Sequence, residues 1–153
     1  MKTDKKNHFE TIEPWICVNS KLRRLHRTLN KVYEARFKQF GLQGSMLSIL
    51  FIIGKRKDIN QKSIADLLVL DQSTLSRDLK KLVNKGWIKI SKADDERHSV
   101  LEITKSGYKL LNQVAPIWHQ LQLSVETILG SSNIEQIDII TNTLKANIEK
   151  LKP

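Results

Sequence analysis

The stretch LLVLDQSTLSRDLKKLVNKGW, residues 67–87, carries the pattern that decides the fold. Asp71 is of the type that caps a helix, and behind it Leu75, Leu79, Leu82 and Val83 recur at helical spacing on what reads as the inward side. Gln72, Ser73, Ser76, Arg77, Lys80 and Asn84 share the outward side, and Gly86 stops the pattern. Just upstream, Asn60 can cap a short helix through Ile64, Ala65, Leu67 and Leu68. A short helix, a turn of a few residues and a second helix presenting hydroxyls, an amide and cations form a helix-turn-helix, whose second helix enters the major groove of DNA. Gln and Arg make bidentate bonds to base edges, short Ser side chains permit close approach or bind phosphate, and Lys neutralises backbone charge.

Beyond Gly86 the period changes. Trp87–Ile88–Lys89–Ile90 alternates apolar and polar residues, and Ser99–Val100–Leu101–Glu102–Ile103 does so again, the pattern of a two-stranded hairpin. Its loop holds Asp94, Asp95 and Glu96 directly before Arg97. A helix-turn-helix followed by a hairpin is a winged helix, which puts Arg97 at or near the wing tip, within reach of phosphates or a narrow minor groove. Asp95, two residues earlier, can hold the guanidinium in one direction through a bidentate pair and lower the cost of ordering it. The other two acids read equally well as solvated residues or as a brake on non-specific binding.

Composition narrows the partners. A chain of 153 residues with 40% hydrophobic and 27% charged residues is an ordinary globular domain. Its net charge of +10 and pI near 9.8 favour polyanions, nucleic acid before a membrane surface. Residues 1–53 hold ten Lys/Arg against four Asp/Glu, so most of the surplus lies in the first third. The longest apolar run, Met46 to Ile53, is too short to span a bilayer, and no signal peptide follows the basic start, so the expectation is a cytoplasmic protein without a membrane partner. One cysteine, Cys17, excludes an internal disulfide. His8, His26, His98 and His119 show no metal-ligand spacing, and neither a nucleophile–base motif nor a glycine-rich phosphate loop is present; no metal, cofactor or enzymatic activity is expected.

The flanks read as helices. Leu22, Leu25, Leu29, Val32, Phe37 and Phe40 recur at helical spacing from about Pro14 to Gly41. Ser45 to Ile53 suits a buried helix closed by Gly54. Thr104 can cap a helix carrying Leu111, Val114, Trp118, Leu121, Val125 and Ile128, with Pro116 expected to bend it. Ser132 and Glu135 form a capping-box pattern ahead of a last helix with Ile134, Ile137, Leu144, Ile148 and Leu151 on one stripe. That stripe needs a partner, either a second copy or the first helix of the same chain.

Asp95-x-Arg97 followed by Ile103-Thr104-x-x-Gly107 is similar to the wing signature of the MarR family of winged-helix transcription regulators, and Asn84-Lys85-Gly86-Trp87 resembles the family's entry into the wing. Cys17, Leu22-Arg23-Arg24, the segment Asp71-Gln72-Ser73-Thr74-Leu75-Ser76-Arg77 and Pro116-Ile117-Trp118 resemble one subgroup; Asn19 stands where that subgroup often has a second Cys. The resemblance covers about residues 17–130. It implies a mainly α fold with a small β-hairpin wing: one domain over 1–153, with dimerisation helices at about 14–42 and 105–151 and a winged helix-turn-helix core at about 43–104. It further implies a homodimer on a pseudo-palindromic operator in double-stranded DNA, released by a small molecule or an oxidant. Gln72, Ser73, Thr74, Ser76, Arg77, Lys80, Asp95 and Arg97 are the expected DNA-binding residues.

The switch has two readings. Arg23, Arg24 and Arg27 have no carboxylate at i+4, the positions being Arg27, Thr28 and Lys31, so they are either a solvated cationic face or, with Trp118, a site for a small anionic or aromatic effector. Cys17 resembles the first-helix cysteine of the family's peroxide sensors, and is otherwise a small buried hydrophobe. A winged helix serving only as a protein-interaction module is the remaining alternative.

Overall fold

The computed structural model describes residues 8–92 and 99–151, and the chain divides into two compact units, Met1–Leu47 and Ser48–Pro153. In the first, a 3-10 turn over Pro14–Ile16 precedes α1, Val18–Phe37. The helix therefore starts four residues later than the apolar spacing predicts, because Cys17 adopts ψ 114° and breaks the helical run that Pro14 opens. It ends as predicted: a 3-10 turn over Lys38–Phe40 closes at Gly41, whose amide donates to Lys38 O at 2.9 Å. Phe37 and Leu42 are buried, and the Tyr33 and Phe37 rings lie 6.3 Å apart, but Leu22, Leu25 and Val32 stay exposed.

The second unit is built on α2 (Met46–Lys55), α3 (Gln61–Leu68), α4 (Gln72–Asn84), a hairpin of β1 (Ile88–Lys92) and β2 (Ser99–Ile103), α5 (Lys105–Leu129) and α6 (Ser131–Asn147). The caps predicted for α3 and α4 both form. Asn60 accepts from Ser63 N at 2.9 Å and Asp71 from Thr74 N at 2.8 Å, each satisfying an amide that the first helical turn leaves without an internal partner. Ile64, Leu75, Leu79 and Leu82 bury their side chains in the core, worth about 1.5–3 kcal/mol apiece. Val83 does not belong to that face: it is exposed, and Asp78 is buried instead.

Gly54 does not close α2 but lies inside it, and a Cβ there would sit 3.0 Å from Leu111 Cδ1; its smallness serves packing rather than termination. Val69 follows α3 in the left-handed region, φ 52° and ψ 45°, with its side chain exposed. A β-branched residue there is strained, since its Cβ crowds the following carbonyl.

Helix α4 is tied to the wing at one junction. Gly86 takes φ +68°, and the amides of Gly86 and Trp87 return to Val83 O and Leu82 O at 2.8 and 3.1 Å, using carbonyls the last turn leaves open. Thr104 then holds the far end of the hairpin against this turn. Its hydroxyl donates to Gly86 O at 2.6 Å, its amide to Trp87 O at 3.0 Å, and its oxygen caps α5 by accepting from Gly107 N at 3.1 Å. A Cβ on Gly107 would lie 2.2 Å from the Trp87 carbonyl oxygen, so only glycine lets α5 start against the wing. The strands pair antiparallel in the predicted place, Ile88 opposite Ile103 and Ile90 opposite Leu101, with Ile88 and Leu101 buried; Trp87 stays just outside. Leu101 N also donates to Ile59 O at 2.9 Å, fastening the hairpin to the segment before α3.

Helix α5 buries Leu110, Leu111, Val114 and Leu121, while Ile128, predicted on the same side, is exposed near its end. Pro116 lies inside the continuous helix. The predicted capping box at Ser132 and Glu135 does not form. α6 begins two residues earlier, at Ser131, because Gly130 (φ 79°, ψ 144°) makes the turn out of α5 and stands at the cap position with no side chain to offer. Ile137, Leu144, Ile148 and Leu151 are exposed.

Candidate nucleic-acid interface

The outward face of α4 is the one the periodicity predicts: Gln72, Ser73, Ser76, Arg77, Lys80 and Asn84 are all exposed, and Thr74 is half-buried. Asp71 organises its first turn. Besides the Thr74 amide, its carboxylate accepts from Ser73 Oγ at 2.6 Å and from Thr74 Oγ1 at 2.7 Å. These bonds, that from the Ser73 hydroxyl first, hold the Asp71 carboxyl well below the usual carboxylate range. One turn on, Arg77 Nε donates to Ser73 O at 3.2 Å, and its Nη2 lies 3.5 Å from Thr74 Oγ1, so the guanidinium lies back along the helix.

Asp78 was not among the expected site residues. It stands three residues after Leu75 on the inward edge, a spacing that was visible in the sequence, and its carboxylate is 3.4 Å from Lys81 Nζ. In the wing, Lys89 and Glu102 face each other across the hairpin as an ion pair, which keeps the Glu102 carboxyl below its ordinary range. Lys85 Nζ lies 4.8 Å from the Trp87 ring centroid. Asp95 and Arg97 lie outside the described residues.

The residues expected to form the switch are distributed as follows. Arg23 and Arg27 share a shallow cleft of about 330 Å³ with Leu22 and His26 on α1. Arg24 points elsewhere, its Cζ 5.5 Å from the centroid of the exposed Trp15 ring. Trp118, on α5, meets Phe51 of α2 edge-on at 5.5 Å, a packing role. Cys17 is exposed directly ahead of α1, and hydrogen bonding by Ser20 pulls its thiol below the ordinary value. Among the described residues there is no cluster of three or more His, Cys, Asp or Glu able to hold a metal ion, and no helix long and apolar enough to cross a membrane.

The MarR family model matches residues 44–100, the segment from α2 to the wing. The regulator SarZ of Staphylococcus epidermidis is 30% identical over 127 residues, 78% of this chain and 81% of SarZ. The chain belongs to the MarR family. Four other regulators match at 26–31% identity, with the chain spanning 55–64% of their length. Among solved MarR-like folds, the M. tuberculosis regulator MosR in complex with DNA superposes with a TM-score of 0.72 at 23% identity, over 86% of this chain and 97% of MosR. BpsR of Bordetella bronchiseptica, whose DNA binding is regulated by 6-hydroxynicotinic acid, gives 0.72 at 15% identity, over 87% and 97%. These two likenesses are of fold.

Proposed function

We propose that the chain is a sequence-specific DNA-binding transcriptional regulator that acts as a homodimer on a pseudo-palindromic operator. The observation that carries this reading is the α4 face: a capped helix, anchored by buried leucines, presents an amide, hydroxyls and cations outward and is tied at its end to a hairpin wing. Gln72 and Arg77 read base edges, Lys80 meets phosphate, and Arg97, oriented by Asp95, extends the contact from the wing. The exposed apolar residues Ile137, Leu144 and Leu151 form the surface by which two copies pair, setting two α4 helices about 34 Å apart for successive turns of B-DNA. That a family relative binds DNA and another is regulated by a small aromatic acid supports the same scheme.

Selection of bound fragments from a genomic library, followed by mobility shift, tests the reading. A specific complex is expected whose log affinity falls linearly with log salt, and Arg97→Ala should weaken all duplexes and flatten that slope, with Asp95→Ala reproducing part of the effect. Affinity for a protein partner with no salt-dependent DNA complex would favour the interaction-module alternative.

Release by a small anionic or aromatic effector that engages the cleft of Arg23 and Arg27 on α1 completes the proposal. A thiol switch is the second reading, favoured by the exposure of Cys17 ahead of α1 and by its lowered pKa. Release by hydroperoxide that is lost in Cys17→Ser supports the thiol. Release by an aromatic acid that survives Cys17→Ser but is lost in Arg23→Ala with Arg27→Ala supports the effector.

A further inference from the structure

We propose that Asp71 sets the hydrogen-bonding polarity at the head of α4, so that Ser73 reads only bases presenting an exocyclic amine in the major groove, cytosine or adenine. The inference rests on α4 being the helix that meets DNA. Ser73 Oγ is 2.6 Å from Asp71 Oδ1 and Thr74 Oγ1 is 2.7 Å from Asp71 Oδ2, while the Thr74 amide takes Oδ1 at 2.8 Å. An ionised carboxylate only accepts, and a hydroxyl has one proton to give. Each of the two hydroxyls therefore spends its proton on Asp71 and offers only lone pairs outward.

The two differ in access. Thr74 is half-buried and faces the Arg77 guanidinium, whereas Ser73 is exposed. In the major groove, cytosine N4 and adenine N6 donate, while guanine O6 and N7 and thymine O4 accept. Ser73 can satisfy the first pair and would stand acceptor to acceptor against the second. Phosphate oxygens only accept as well, so Ser73 lacks the proton a phosphate contact requires, and the adjacent carboxylate charge repels the backbone. The head of α4 is thereby committed to base edges, and the cations Arg77 and Lys80 further along supply the donors.

Binding-site selection from a random duplex library with the full chain, Ser73→Ala and Asp71→Gly tests this. Glycine is itself a favoured N-cap residue, and it removes both carboxylate oxygens, so the Ser73 proton is free to turn outward. The parent should select a motif with one position per half-site restricted to cytosine or adenine. Both variants should lose roughly tenfold discrimination there and keep the rest of the motif, and Asp71→Gly should admit guanine or thymine. Thermal melting of each variant monitors folding; if Asp71→Gly does not fold, Ser73→Ala alone must relax a cytosine or adenine position. A parental motif retained by both variants, or guanine or thymine at the position Ser73→Ala relaxes, overturns the inference while leaving DNA binding intact. A parent that selects no motif overturns both.

Discussion

Helices α4 and α6 carry apolar stripes of the same kind and bring them to opposite ends. Leu75, Leu79 and Leu82 on α4 are 0–3% exposed, whereas Ile137 and Leu144 on α6 are 42% and 40% exposed. α4 packs against α3 and β1, and its first turn is stapled by Asp71. α6 starts after Gly130 with no side-chain cap and leaves its stripe to water. Periodicity therefore identifies a face that needs covering, and the surroundings decide whether the same chain covers it. On α4 the cover is internal and the opposite face is left outward, the surface proposed for DNA; on α6 the stripe is the surface proposed for a second copy.

The sharpest test of that contrast pairs Leu75→Ala with Leu144→Ala. The first empties a closed core position and should cost about 2–5 kcal/mol in denaturant unfolding at every protein concentration. The second should cost little in dilute solution and show its loss only where copies associate, because association stabilises by mass action. Equal, concentration-independent losses would mean that the α6 stripe is covered within one chain. Gly107→Ala probes the junction that holds α4 to the wing. The added methyl meets a backbone oxygen, which cannot rotate aside, so a loss of about 3 kcal/mol, the upper end for overpacking, is expected in the same measurement. Wild-type stability would show that α5 can slide away from Trp87 at no cost.

Caps should separate the two halves more gently. Asn60→Ala should cost about 1 kcal/mol, while Ser132→Ala, at a capping box that does not form, should change stability by less than about 0.5 kcal/mol. Val69→Gly should raise stability by about 0.5 kcal/mol, since relief of about 1–2 kcal/mol of left-handed strain outweighs about 0.5–1 kcal/mol of added chain entropy. A loss of stability there would mean that the exposed Val69 side chain packs usefully in the turn. The smallest effect is on pH dependence. The Asp71 carboxyl titrates lower in the folded chain than in the unfolded one, so its contribution is present above the unfolded value of about 3.9 and lost as pH falls below it. Asp71→Asn should flatten the decline of Tm below about pH 4 and leave pH 7 nearly unchanged.

Most of the helix-turn-helix was legible because its signals are local. Asn60, Asp71 and Thr104 cap the helices at which their types and positions pointed, since a cap is a bond between residues three apart. Ser132 misled for the same reason: its capping-box pattern is local, but Gly130 had already turned the chain into α6. The exposed side of α4 was readable residue by residue, yet the engagement of Ser73 and Thr74 with Asp71 was not, because which rotamer a hydroxyl takes is not a matter of period.

The sequence by itself determined that a basic chain of this length carries two capped helices joined by a short turn and followed by a two-residue alternation, because 3.6 and 2 are periods of the backbone. Only the tertiary structure decided that Gly54 serves packing and not termination, that Val69 is held left-handed, that Asp78 rather than Val83 turns inward, and that Gly107 must lack a side chain to clear Trp87. At Gly54 and Gly107 the outcome depends on what a distant segment brings to that position. Such contacts join residues far apart in the chain, and no spacing within one helix encodes them.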